Sequence, residues 1–388
     1  MENGNNGFVL SDELTALREQ VKRIIRDEII PIENRLDPDA PEIPESDFWP
    51  LARKTQAAGL WCMGVPQKYG GGGLGTFDMC VLMEEMAQHR MGLYNPGAGV
   101  FGRALPPVIW AGTEEQIQKY AVPAIKNASH TFFAITEPSG GSDPAGAIQC
   151  RAVRKGDTYV LNGTKIFSSH AHEAEWGVVF TRTDPNAGRA GITAFIVEKN
   201  TPGFTARPFK VLRTAALPCE VHFEDCTIPA AQRLGPEGGG LTLCLDLLTR
   251  LRFPYSACNI GVGVAALAMA VAHAKQRKTF GELLARRQAI QWMLADSEVE
   301  LRAARWLTWD GAWKADRGED ARMEASIAKL YSSEALGRVI DRAVQIHGGY
   351  GVSKEFPLER WYREARIRRI GEGPSEVHRM VIARNLLR

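Results

Sequence analysis

The chain has 388 residues, more than one compact core usually holds, so two or three packed subdomains are expected. Its 47 basic and 45 acidic side chains nearly cancel to a formal charge of +2, and 45% of residues are hydrophobic. That is the composition of an ordinary globular protein and gives no reason to invoke nucleic acid or an anionic membrane as partner.

Seven cysteines form an odd set with no C-x-x-C pair and no His at zinc-ligand spacing, which predicts free thiols, a reducing compartment and no metal. The start, Met1 to Gly7, has neither the apolar core of a signal peptide nor the Arg-rich character of a transit peptide. No apolar run reads as long enough to cross a bilayer, so a cytoplasmic location is expected.

The first third of the chain reads helical. Ser11 is placed to cap a helix with Asp12 and Glu13 in its first turn and an apolar stripe at Leu14, Leu17, Val21, Ile24 and Ile25, stopping before Pro31. The glycine run Gly70 to Gly73 lacks the Lys-Ser/Thr of a phosphate loop and reads as a plain loop.

Between Phe132 and Pro229 the period shortens. Val153 to Leu161, Gly177 to Thr181, Ile192 to Glu198 and Glu220 to Phe223 are rich in Val, Ile, Phe and Thr, with turns predicted at Gly156-Asp157 and Asn162-Gly163. This is a small antiparallel β domain. After Gly238-Gly239-Gly240 the helical period returns. Ile290, Met293, Leu294, Leu301, Ala304 and Leu307 form one stripe, and Ile327, Leu330, Leu336, Val339, Ile340 and Val344 another, ended by Gly348-Gly349. The resulting α+β order divides at 1–130, 131–235 and 236–388.

Five motifs fall in a fixed order: Pro66-Gln67-Lys68-Tyr69-Gly70-Gly71, Thr136-Glu137-Pro138-Ser139-Gly140-Gly141-Ser142-Asp143, Asn162-Gly163-Thr164-Lys165, Arg277-Lys278-Thr279-Phe280-Gly281 and Gln345-Ile346-His347-Gly348-Gly349-Tyr350-Gly351. A Gly-flanked acid, Glu372, follows just ahead of the last helix. Together, over nearly the whole chain, they resemble the acyl-CoA dehydrogenase family. The resemblance implies an N-terminal helical domain, a central small antiparallel β-barrel and a C-terminal four-helix bundle around which the protein oligomerises, as a homotetramer (dimer of dimers) or at least a dimer.

Desaturating a thioester between its α and β carbons needs a base for the α proton, a hydride acceptor, and donors for the thioester oxygen. No side chain accepts hydride, and no G-x-G-x-x-G follows a strand and opens a helix. The resemblance accordingly implies FAD, with Glu372 as catalytic base. Apolar surroundings would raise its carboxyl pKa, and hydrogen bonds from the Glu372 amide and the flavin would acidify the thioester's α proton. The family's second position for a glutamate reads Leu248-Thr249-Arg250-Leu251-Arg252 here, with no acid. Arg252 matches the arginine beside the base, and Arg250 reads as a surface charge. Leu248, Thr249, Arg252, Gly371, Gly373 and Ser142 are the expected substrate contacts.

For the flavin the resemblance implies Phe133, Ile135, Thr136 and Gly141 at the ring, Ser142 near the pyrophosphate or the CoA side, Phe167 and Ser169 in place of the family's usual Trp and Thr, and Pro374 and Glu376 beyond the base. Arg277, Phe280, Gln288, Gln345 and Gly349 would reach the ADP half of the FAD in a neighbouring subunit. His347 reads as a loop residue. Arg103 reads as a solvated helix charge, with a polar acyl tail as its other possible partner.

Two departures stand out. The family's usual Tyr before the base is Gly371, and its usual Thr after the next Gly is Pro374. Loss of the ring leaves space for an α-branched, alicyclic or aryl-substituted acyl group. An electron-transfer flavoprotein is the implied acceptor, and a reductive or elimination reaction is left open. The alternatives are a flavin monooxygenase or oxidase, against which Glu372 argues, and a non-dehydrogenating interaction protein, which would be expected to carry a basic tail.

Overall fold

Residues 10–387 are described by the computed structural model. The Ser11 hydroxyl accepts the Leu14 amide at 3.1 Å and caps α1 (Asp12–Ile24), whose first-turn acids face the positive end of the helix dipole. The helix does not stop before Pro31. A π-helical turn, Ile25–Ile29, widens it, with the Ile30 amide bonding the Ile25 carbonyl, and a further turn, Ile30–Glu33, carries Pro31 near its start. The missing proline N–H is thereby tolerated, since the wider turn replaces the bond it would have broken. With α2 (Glu45–Ala57) and α3 (Thr76–Met86), α1 encloses a core that includes Val21, Ile29, Leu60, Leu82 and Val108.

The central part is an eight-stranded sheet: β1 (Thr131–Ala134), β2 (Arg151–Lys155), β3 (Thr158–Ser169), β4 (Trp176–Arg182), β5 (Ile192–Glu198), β6 (Phe204–Pro208), β7 (Pro218–Pro229) and β8 (Arg233–Leu234). Its order is β6-β7-β3-β2-β4-β5-β8, with β1 parallel against β4. The Gly156-Asp157 turn joins β2 to β3 as predicted, but Asn162-Gly163 is no turn. It lies inside β3 at a bulge where the pairing with β7 shifts, and the Asn162 side chain trades hydrogen bonds with Asp225 opposite. Gly163 has φ +142°, and a Cβ there would lie 2.7 Å from the Cys150 Cα, so glycine is required for the strand crossing rather than for a turn.

The last part is helical: α4 (Gly240–Gln276), α5 (Gln288–Asp316), α6 (Arg322–His347), α7 (Pro357–Arg368) and α8 (Ser375–Leu386). Leu301, Leu336, Val339, Ile340, Leu358 and Trp361 form its core. Gly261 lets α4 close on α3, since a Cβ there would meet the Glu84 carbonyl at 2.1 Å. By length and composition α4 does qualify to span a bilayer, contrary to the expectation, but just over half of its most apolar window is buried inside the fold. It is the central helix of the bundle, packed by α3, α5 and α6.

Candidate active site

The turn between α7 and α8 carries Glu372 in the left-handed region, φ +58°, followed by Gly373 at φ +92°. A non-glycine residue there is held at a cost of about 1 kcal/mol. The N-cap of α8 is Pro374 and no side chain caps the helix, so Glu372 does not act as a capping acid. Its carboxylate has no ion-pair partner among the described residues. Glu372 is exposed in the single chain, so the apolar surroundings expected for it are not built by this chain's own side chains.

Its backbone is held from behind. Lys329 on α6 donates from Nζ to the Gly373 carbonyl at 2.6 Å, and His378 on α8 donates from Nε2 to the Glu372 carbonyl at 3.2 Å. Both side chains are buried. Burial pulls the Lys329 ammonium down to about 8, against the opposing pull of Glu372. Burial, helped by the charges of Arg252 and Lys329, holds His378 down to about 3, so its imidazole is neutral. Arg252 on α4 lies near the turn: a Cβ on Gly373 would lie 3.8 Å from its guanidinium. Burial lowers the Arg252 pKa and the Glu372 charge opposes that.

Gly371 precedes the base and leaves room for at most a small side chain before contact with its neighbours. A Cβ there would meet the Tyr255 hydroxyl at 3.5 Å, an ordinary contact. From Tyr255 an alternating row leads to the sheet: the Arg368 guanidinium lies 3.9 Å from the Tyr255 ring centre and 4.7 Å from that of Tyr94, and Arg213 lies 4.6 Å from Tyr94. Arg213 ends the row by donating to the Ser169 hydroxyl at 2.6 Å. Arg368 is locked by the Leu93 carbonyl and the Cys258 sulfur. Leu248 is half-buried, and Thr249 is buried with its hydroxyl bonded to the Leu245 carbonyl at 2.9 Å. Thr249 also lines a cavity of about 310 Å³ with Asp246, Arg250, Glu319 and Arg322. Arg250 is exposed, as expected.

The proposed flavin residues gather at the ends of neighbouring strands. The Ile166 amide bonds the Thr136 carbonyl at 2.9 Å, so the segment Phe133, Ile135, Thr136 runs beside the end of β3 that carries Phe167 and Ser169. Gly141 packs back on Thr136, where a Cβ would meet Cγ2 at 3.0 Å. Gly141 and Ser142 are exposed, and Phe167 is 57% exposed at φ +61°. Hydroxyls, free backbone and an outward aromatic on one edge fit a flat, hydrogen-bonding flavin ring. A buried ion pair fixes this edge: Lys165 Nζ bonds Glu137 at 2.7 Å and the Ile135 carbonyl at 3.1 Å, while Glu137 also accepts the Gln149 and Cys150 amides.

A second group lies at one end of the bundle. His273 stacks on His347 at 4.4 Å, which sets Arg277, just past α4, beside Gln345 and Gly349 at the end of α6. Phe280 and Gly281 turn a short hairpin, Lys278–Thr279 with Glu282–Leu283, both at positive φ, and Phe280 is 99% exposed. Arg277, Gln288, Gln345 and Gly349 are exposed too. His347 is not a loop residue: it ends α6, buried, with Nδ1 bonded to the Ala343 carbonyl at 2.7 Å. Glu376 is exposed in the first turn of α8.

Arg103 is neither solvated nor free for an acyl tail. It holds both oxygens of Glu42, at 3.0 and 2.9 Å, and approaches His130 at 3.2 Å. Glu42, His130, His170 and Glu173 bring possible metal-ligand atoms within 4.8 Å of one another, but the Arg103 guanidinium already supplies the cation.

Lys329, His378, Arg368, Tyr255, Tyr94, Arg213 and the Lys165–Glu137 pair went unassigned in the sequence. One sign was readable: Lys329 interrupts the apolar stripe between Ile327 and Leu330, where a lysine is costly unless it has a task.

Residues 11–128, 132–226 and 238–387 match the family models of the N-terminal, middle and C-terminal domains of acyl-CoA dehydrogenase. The chain is 38% identical to the acryloyl-CoA reductase (NADH) of Anaerotignum propionicum, over 97% of this chain and 95% of that one. It is 37% identical to the caffeyl-CoA reductase-Etf complex subunit CarC of Acetobacterium woodii, over 89% and 92%. Butyryl-CoA dehydrogenase of Megasphaera elsdenii superposes with a TM-score of 0.87 at 32% identity, covering 98% of this chain and all of that one. With its three matched domains in order, the chain belongs to the acyl-CoA dehydrogenase family.

Proposed function

We propose that the protein is an FAD-dependent acyl-CoA dehydrogenase in which Glu372 takes the α proton of an acyl thioester, giving a trans-2-enoyl thioester. The observation that carries this is a carboxylate without an ion-pair partner, on a strained turn whose backbone is gripped on the far side by Lys329 and His378. The Glu372 amide has no acceptor among the described residues and is free to hold the thioester carbonyl as negative charge develops on it. FAD, when bound, supplies the hydride acceptor for the β carbon. Thr136, Gly141, Ser142, Phe167 and Ser169 would hold it. Arg252 lies beside the turn, within 3.8 Å of where a Cβ on Gly373 would be.

Gly371, in place of a bulky ring, supports an α-branched, alicyclic or aryl-substituted acyl group. Two of the relatives carry reductase names, and one of these belongs to an Etf complex. By microscopic reversibility Glu372 would return the same proton to Cα if the enzyme runs as an enoyl reductase, with an electron-transfer flavoprotein as redox partner. A homo-oligomer, a tetramer in this reading, is supported by a stripe of exposed apolar side chains at seven-residue spacing on α5, Trp292, Val299, Trp306 and Trp313. The outward Phe280 and Arg277 would then reach the ADP half of a neighbour's FAD. Seven free, buried cysteines suit a cytoplasmic protein.

The test is anaerobic mixing of the flavin-loaded protein with butyryl-, isobutyryl-, cyclohexanecarbonyl- and 3-phenylpropanoyl-CoA while following flavin bleaching. Rapid bleaching by one of the larger thioesters supports the reading. No bleaching by any of them would turn it toward an oxygenase or a non-catalytic member.

A further inference from the structure

We propose that Lys329 is a positioning residue for Glu372: its ammonium fixes, through the Gly373 carbonyl, the turn that presents the base. The proposal rests on the reading of Glu372 as base. Lys329 is 0% exposed, and the one hydrogen bond of its side chain among the described residues is the 2.6 Å contact to Gly373. No carboxylate lies within ion-pair distance of it among those residues, so the side chain is not kept to neutralise a buried acid.

A buried ammonium with one neutral acceptor is unfavourable for packing alone, and methionine would fill the same space without that cost. The position gains a function once Glu372 is considered. The charged groups facing Lys329 are Glu372, Arg252, Arg368 and, on its own helix, Glu334. Those facing Glu372 are Arg252, Tyr255 and Cys244 from α4 and Lys329 from α6, with neutral His378 on its carbonyl from α8. Glu334 is already engaged by Arg379 at 2.9 Å. Lys329 is thus a fully buried cation whose bond to the Gly373 carbonyl holds the turn that presents the exposed Glu372 carboxylate. The depressed Lys329 pKa of about 8 leaves the ammonium protonated at neutral pH.

The experiment is the separate measurement of kcat and KM in flavin-loaded Lys329→Met, Lys329→Gln and Lys329→Arg enzymes, assayed with butyryl- and 3-phenylpropanoyl-CoA beside a Glu372→Gln enzyme. Losing the donor to the Gly373 carbonyl in Lys329→Met is expected to lower kcat about tenfold with KM little changed, and Lys329→Arg should restore most of the loss. Lys329→Gln, whose shorter side chain holds the carbonyl less well, should fall between the two and carries the test if Lys329→Met fails to fold. Folded, flavin-loaded Met and Gln enzymes whose kcat stays within about twofold of the wild type, while Glu372→Gln is inactive, overturn the Lys329 role alone. A Glu372→Gln enzyme at wild-type rate overturns the base assignment itself and this proposal with it.

Discussion

The guanidinium of Arg368 lies 3.9 Å from the centre of the Tyr255 ring, and the Tyr255 hydroxyl faces the space that Gly371 leaves beside the base. The wall of that space is therefore rigid. Arg368 is tied to the Leu93 carbonyl and Cys258 and touches Tyr94, so Tyr255 has no easy route aside.

Refilling the space should change the substrate. Gly371→Tyr is expected to lower kcat/KM for 3-phenylpropanoyl-CoA at least about tenfold relative to butyryl-CoA, the scale of roughly 1–3 kcal/mol for a pocket that loses room. Steady-state comparison of the two thioesters checks it, and an unchanged ratio would show that the acyl group does not lie against Gly371.

The Lys165–Glu137 pair should behave as a buried ion pair whose single deletions are worse than its double replacement. Glu137→Gln or Lys165→Met alone is expected to destabilise by about 3–5 kcal/mol, because each leaves its partner's charge buried and unpaired. The double apolar variant should recover part of the loss. Thermal melts give the stabilities, and flavin content should fall with them, since the pair anchors the strand end carrying Thr136.

Much of this was readable in advance. The Ser11 cap, the β5 strand and the stripes of α5 and α6 follow from local chemistry and periodicity, which depend on neighbours in sequence. Pro31 and Asn162-Gly163 misled because a π turn and a bulge accommodate residues that usually end an element. Glu372 and Arg252 are singled out by motifs, and the structure sets Arg252 beside the turn that carries Glu372. The clamp was not: Lys329 and Gly373 are 44 positions apart, and Ser169 and Arg213 meet only because β3 and β7 are adjacent strands and the segment before β7 returns alongside.

Acid should destabilise the protein partly through His378. Its folded pKa, about 3, lies below the usual histidine value, so the unfolded chain binds the extra proton first as pH falls. Stability from this group is full above about pH 6.5 and is lost toward pH 3, at up to about 1.4 kcal/mol per unit. His378→Gln should flatten part of the slope of thermal stability between about pH 6.5 and 5.5, above the range in which lowered carboxylates such as Glu42 take up protons, while His170, His273 and His347, also held down by burial, keep the rest of it. An equally steep slope in that variant would assign the loss to other groups.

The α5 stripe should be a contact between copies of this chain. Trp292→Glu with Val299→Glu is expected to lower the mass in light scattering to that of a smaller assembly and to weaken FAD retention. Unchanged mass would place the subunit contact elsewhere.

The most direct test of the Glu372 assignment is α-proton exchange from 3-phenylpropanoyl-CoA in D2O, comparing flavin-loaded wild type with Glu372→Gln. Wild type should wash out the α proton, and the variant should lose at least about a hundredfold in exchange rate while remaining folded and yellow, the scale expected on removing a general base. Exchange at the wild-type rate in the variant would contradict Glu372 as the base.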